Sequence, residues 1–242
     1  MAQTLPTSQG YANDLYAVEK HKIKGLRLKD LGCLSNPGES TTTMISGGKC
    51  NYSAGNQLAQ SVRFIHKHKI AFITLDIGAN NVDGCVTGGT QINISCVTAG
   101  VAAIQADVPK ILTKLRKAAG KETKIVGMTY YDPYLAEWLK GSSGQTVATL
   151  SVALAKTLNG DLVSAFNARH VRVADVATAF DTYVPFSTTT TIAPYPYGPV
   201  PVAVADICKW TWMCAGAPQG PNIHGKAAGY REIAAVFKKA LG

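Results

Sequence analysis

Residues 73–85, ITLDIGANNVDGC, carry a short apolar run into a glycine and then set two asparagines side by side. Taken with the residues just before it, IAFITLDI (70–77) reads as a strand buried on both faces, because its apolar character is nearly continuous and does not alternate. A strand of that kind needs covering layers, and the chain supplies them. Val97, Val101, Ile104, Val108, Ile111 and Leu115 recur three or four residues apart, as do Val147, Leu150, Leu154, Leu158, Leu162 and Phe166. Both runs predict amphipathic helices with one face on a sheet. A further helix is predicted over 54–68 through Leu58, Val62 and Ile65, and a last one through Ile233, Val236, Phe237 and Leu241.

LRLKDL (26–31), KIVGMTYY (124–131) and VRVADV (171–176) read as the other strands. Strand and helix in alternation imply a three-layer α/β/α architecture on a parallel, flavodoxin-like sheet, with residues 1–242 as a single domain. The segment 183–204, YVPFSTTTTIAPYPYGPVPVAV, breaks the rhythm and reads as a long excursion at the carboxyl edge of the sheet that shapes a pocket.

Composition narrows the function classes. The chain has 242 residues, 46% of them hydrophobic and 16% charged, which suits a globular protein with a sizeable core. Its formal charge of +9 is spread thinly and lacks the aromatic-interleaved basic run of a nucleic-acid groove, so no nucleic-acid partner is expected. Nor does any stretch approach the run of about eighteen apolar residues that a membrane span needs. The start, MAQTLPTSQG, lacks the layout of a signal peptide.

The six cysteines point to a secreted protein all the same. They fall as neighbours, Cys33 with Cys50, Cys85 with Cys96 and Cys208 with Cys214, and none has the C-x-x-C spacing of a zinc or redox motif. Pairing each with its neighbour staples three loops, at roughly 2–4 kcal/mol apiece; other connectivities remain open. His66 and His68 diverge at i and i+2, His21 and His170 lie on solvated stretches, and no metal or cofactor is expected. Asn51 and Asn93 head N-x-S sequons.

In open α/β sheets the working crevice lies beyond the carboxyl ends of the strands, which is where Gly78 and Asn80 fall. An asparagine amide there offers N–H donors without charge. Near the other end, CKWTWMC (208–214) precedes GPNIHGKAAGY (220–230), a histidine just ahead of a helix.

Together with LGCLSNPGESTTTM (31–44), these stretches resemble the SGNH (GDSL-type) hydrolases, in particular their secreted, three-disulfide esterase and lipase branch. The likeness covers nearly the whole chain from PTSQGYANDLY onward. It implies a carboxyl-ester hydrolase that works by serine acyl transfer on a small acyl ester or lipid. Carried over motif by motif, the oxyanion glycine falls at Gly38, the donor asparagine at Asn80 and the base at His224. Asn81 stands where the block usually has Asp. The acid three residues before the histidine falls at Pro221, whose carbonyl is then the orienter of the imidazole, with the Asn222 side chain as the alternative. Trp210 and Trp212 either line the cleft or pack against the 208–214 staple.

The likeness also implies a Gly-Asp-Ser nucleophile block on a first strand, between the strands matched at 26–31 and 70–77, and no Gly-Asp-Ser occurs in the chain. The expectation is a chain shortened at its N-terminus, its sheet completed by an upstream segment or a partner chain. Ser40, in PGES, reads more simply as a helix cap than as a substitute nucleophile. A non-catalytic protein that keeps the cleft and binds acylated ligands or surfaces is the alternative function.

Overall fold

The computed structural model describes residues 10–32, 36–87, 91–191 and 198–242. In chain order its elements are α1 (Tyr11–Glu19), α2 (Thr41–Ser46), α3 (Gln57–Lys67), β1 (Phe72–Leu75), β2 (Val86–Thr87), β3 (Gln91–Ile92), α4 (Ile94–Ala119), β4 (Lys124–Met128), α5 (Ser142–Asn167), β5 (Arg172–Ala174), α6 (Val176–Ala179), β6 (Thr189–Thr191), β7 (Pro199–Pro201), α7 (Val202–Trp210) and α8 (Ala227–Leu241). Short 3₁₀ turns occupy 79–81, 83–85, 133–140 and 212–214.

β1, β4 and β5 form a parallel sheet with β4 in the middle, Phe72 opposite Lys124 and Val126 opposite Arg172. The pleat sends successive residues of β4 to opposite faces. Ile125 packs on one side with Ile104, Ile111 and Leu112 of α4 and Leu162 and Phe166 of α5. Val126 and Met128 pack on the other with Leu15 of α1, Ile207 of α7 and Ile233 and Phe237 of α8. Helices therefore cover both faces, which is why β4 is apolar from Ile125 to Met128.

The strand expected at 26–31 does not form. Those residues belong to no helix or strand and have no ladder partner among the described residues, and Arg27, Leu28, Lys29 and Asp30 are exposed. Three charges in six residues suit solvent and not a doubly covered sheet. What anchors the segment is its last carbonyl, Leu31 O, which accepts from Tyr52 Oη at 3.2 Å and Gln57 Nε2 at 3.0 Å. β1 is consequently an edge strand among the described residues.

The 183–204 excursion resolves into β6 and β7, an antiparallel pair, followed by the start of α7; its tip, 192–197, lies outside the described residues. Phe186 packs on Trp138, with ring centroids 4.5 Å apart, so the excursion leans on the 133–140 turn. Two of the expected disulfides are present, Cys85–Cys96 and Cys208–Cys214. The remaining pair includes Cys33, outside the described residues. Ser40 is the N-cap of α2 in a capping box with Thr43, as its reading as a cap anticipated. Among the described residues no helix is long and apolar enough to cross a membrane.

Candidate active site

β1 hands over to the site through Gly78, whose φ of +131° is open to glycine and strained for any other residue. The turn that follows is held from two sides. α4 crosses it at Gly100, where a Cβ would stand 2.3 Å from Asn81 O. The segment entering α2 grips it through both asparagines: Asn80 Nδ2 donates to Glu39 O at 3.0 Å, and Asn81 accepts from Thr41 N at 3.0 Å while donating to Thr41 Oγ1 at 2.8 Å. Asn81, the departure from the usual Asp, thus acts as a two-sided clamp between the turn and α2.

His224 sits on a loop laced to residues 208–215. Trp212 N donates to His224 O at 3.1 Å, Asn222 N to Trp212 O at 3.2 Å and Lys226 N to Trp210 O at 2.7 Å. Tyr131 Oη, just beyond β4, donates to Ile223 O at 2.7 Å and ties this loop to the sheet. The Trp-rich loop therefore serves the histidine through its backbone. Trp210 packs edge-on against Phe180, with centroids 4.7 Å apart, and Lys226 lies over Trp212; of the two readings of these tryptophans, packing is what the structure displays.

Of the two candidate orienters of the imidazole, it is the Asn222 side chain that meets the ring. His224 Nδ1 lies 2.5 Å from Asn222 Oδ1, and the same oxygen accepts the His224 backbone N–H at 3.0 Å. An oxygen already accepting that N–H is an acceptor for the ring too, so Nδ1 carries the proton and Nε2 keeps its lone pair. Partial burial holds the His224 pKa below the ordinary histidine value. The ring is a neutral base at neutral pH.

Asn80 and His224 line one cavity of about 250 Å³ at the carboxyl edge of β1 and β4. Val97, Val101, Leu154 and Leu158 give it an apolar wall from α4 and α5. Gly38, Pro221, Trp210, Trp212 and the described part of the 183–204 excursion are not among the lining residues; Gly38 is exposed, with φ +106°, one residue from the carbonyl that Asn80 grips. Ser151 is the serine on the wall, and its hydroxyl donates to Ala148 O at 3.0 Å.

The cavity also holds Asp76, Asp83 and Asp132, which sequence reasoning passed over. The signal was present: Asp76 directly follows β1 and Asp132 comes shortly after β4, at the strand tips where a crevice forms. Tyr130 Oη donates to Asp76 Oδ1 at 2.6 Å, and Asn159 clasps the Tyr130 backbone from both sides. Burial raises the Asp76 carboxyl, pushes Asp132 up to about 6, and with the neighbouring Asp76 charge pushes Asp83 up to about 7.

A raised carboxyl pKa means that the folded chain holds a proton that the unfolded chain has released. Asp83 is therefore neutral and harmless below its unfolded value near 4, and it costs stability progressively as pH climbs from there through about 7. Asp83→Asn is expected to raise the unfolding free energy from urea melts at pH 8, by on the order of 1–3 kcal/mol, and to leave it nearly unchanged at pH 4. Equal effects at the two pH values would contradict the burial of this charge.

No protein-family model, curated protein or solved structure matches the chain.

Proposed function

We propose that the cavity is the ester site of a secreted carboxyl-ester hydrolase of the SGNH type. The observation that carries this reading is the meeting of Asn80 and His224, distant in sequence, on a single partly apolar hollow, with the imidazole held in the tautomer a base requires. Of the two N–H bonds on Asn80 Nδ2, one grips Glu39 O; the other is the donor for an ester oxygen as it becomes negative. His224 Nε2 takes the proton of an attacking hydroxyl as the new C–O bond forms. It then returns that proton to the leaving alcohol as the tetrahedral intermediate collapses. Asn222 fixes the ring but, being uncharged, stabilises imidazolium less than a carboxylate does. The acyl group lies along Val97, Val101, Leu154 and Leu158.

The Gly-Asp-Ser block that supplies the attacking serine in that family does not occur in these 242 residues. Without that serine, water is the hydroxyl that His224 deprotonates while Asn80 holds the oxyanion. This chain is accordingly expected to cleave p-nitrophenyl butyrate measurably above buffer. The rate should fall as pH drops through a pKa below 6.5, the His224 ring being protonated there. A rate equal to buffer at every pH would refute the reading. It would favour the second one, a non-catalytic binder of acylated ligands, for which the observation is that Ser151, on the cavity wall, already spends its hydroxyl on Ala148 O.

A further inference from the structure

We propose that the cavity recognises an organic ammonium cation of about the size of choline, with Asp83 and Asp132 as its counter-charges and the lining tyrosines as its aromatic surround. The protein as a whole carries +9, yet among the described residues the wall of this cavity has Asp76, Asp83 and Asp132 and not one lysine or arginine. Carboxylates gathered around one cavity without a cationic partner repel one another, and such arrangements cluster at functional sites. Asp132 points most directly to a ligand. It is 3% exposed; Oδ1 accepts from Tyr134 N at 2.9 Å and the Ser151 side chain favours the charged form, yet Oδ2 is buried and, among the described residues, no cationic side chain stands against it.

The tyrosines do not neutralise the site. Tyr11, Tyr131 and Tyr134 direct their hydroxyls to Thr74 Oγ1, Ile223 O and Asp83 O. Tyr130 alone donates to a lining carboxylate, Asp76, which is why Asp83 and Asp132 are the ones left for a ligand. Their rings are thereby fixed in the wall, and aromatic faces attract desolvated cations, quaternary ammonium groups above all. A metal ion is the poorer occupant: among the described residues no three His, Cys, Asp or Glu side chains converge as a ligand set. A diffuse cation can instead satisfy separated carboxylates at once.

The inference deepens the ester reading by giving the substrate an ammonium group on its acyl or alcohol part, and it rests on that reading only in using the same cavity. Its pH dependence follows from the groups facing Asp83. Asp76, on the β1 side, is likewise raised and gains charge as pH rises, as does Asp132. The tyrosines stay neutral, their hydroxyls raised by burial, and His224 turns cationic only on acidification, which repels the ligand. All contributions have one sign, so binding strengthens from pH 5.5 to pH 8.

Isothermal titration of the chain with choline and with its neutral isostere 3,3-dimethylbutan-1-ol tests this. At pH 8 choline is expected to bind about ten-fold or more tightly than the isostere, a difference of ~1.4 kcal/mol. The preference should fade at pH 5.5, and binding near pH 7 should release protons, seen as a buffer-dependent heat. Asp132→Asn and Asp83→Asn, isosteric changes whose folding is checked by circular dichroism, should each erase most of the preference. Equal affinities for the two probes at pH 8, no choline binding, or a preference untouched in both folded variants would overturn the proposal. His224→Ala separates it from the ester reading: choline binding persists there, and a chain that binds choline but fails to cleave esters sinks only the hydrolase.

Discussion

Replacing Asn80 by alanine is expected to lower kcat for p-nitrophenyl butyrate by about 100- to 1,000-fold, the usual cost of losing one preorganised oxyanion donor. KM should change little, since the donor matters most when charge has developed on the ester oxygen. Asn80 also grips Glu39 O, so the substitution removes a hydrogen bond and costs about 1 kcal/mol of stability. Asn81→Ala controls for that. Asn81 clamps Thr41 through both ends of its amide but does not line the cavity, so its loss should cost stability to a similar or greater degree with kcat nearly intact. Urea melts beside steady-state kinetics distinguish the two variants. Equal kinetic losses in both would mean that the turn's rigidity, and not the Asn80 donor, carries the rate.

Phe166→Ala is expected to be the most destabilising single truncation near the site, at about 3–5 kcal/mol. Its ring is 1% exposed and its far end abuts the sheet at Gly127, where a Cβ would stand 2.4 Å from Cζ. The absence of a side chain in the middle of β4 is what lets α5 approach so closely, and α5 in turn brings Leu154 and Leu158 to the cavity and Asn159 to the Tyr130 backbone. Gly127→Ala should therefore also destabilise, by about 1–3 kcal/mol through overpacking. The two changes together should cost less than their sum, because the smaller residue at 166 makes room for the methyl at 127. Denaturant unfolding of the two variants and their combination measures this; a loss below about 1 kcal/mol for Phe166→Ala would contradict the packing described.

Much of the scaffold is legible in the sequence because burial leaves a period. The apolar residues at helical spacing over 97–115 and 147–166 became α4 and α5, and the continuous runs at 70–77, 124–131 and 171–176 became the three sheet strands, each shorter than its apolar run. LRLKDL misled because two or three apolar residues resemble a strand locally, whereas a ladder needs a neighbour that local pattern does not encode. The convergence of Asn80 and His224 on one cavity was readable from their motifs. The role of Asn222 was one of two options, decided by a side-chain rotamer that only the folded loop sets. The acidic character of the cavity escaped because Asp76, Asp83 and Asp132 lie in three separate segments, each ordinary for a turn; their meeting is a property of the topology alone.

The most direct measurement is a double-substitution cycle on kcat/KM for p-nitrophenyl butyrate, using His224→Ala, Asn80→Ala and the pair. Groups that act on one transition state are strongly non-additive. The predicted result is a large loss for either single variant and a double variant hardly worse than the poorer of the two. Losses that simply multiply, or a rate indifferent to both substitutions, would contradict the claim that the imidazole and the amide serve one ester.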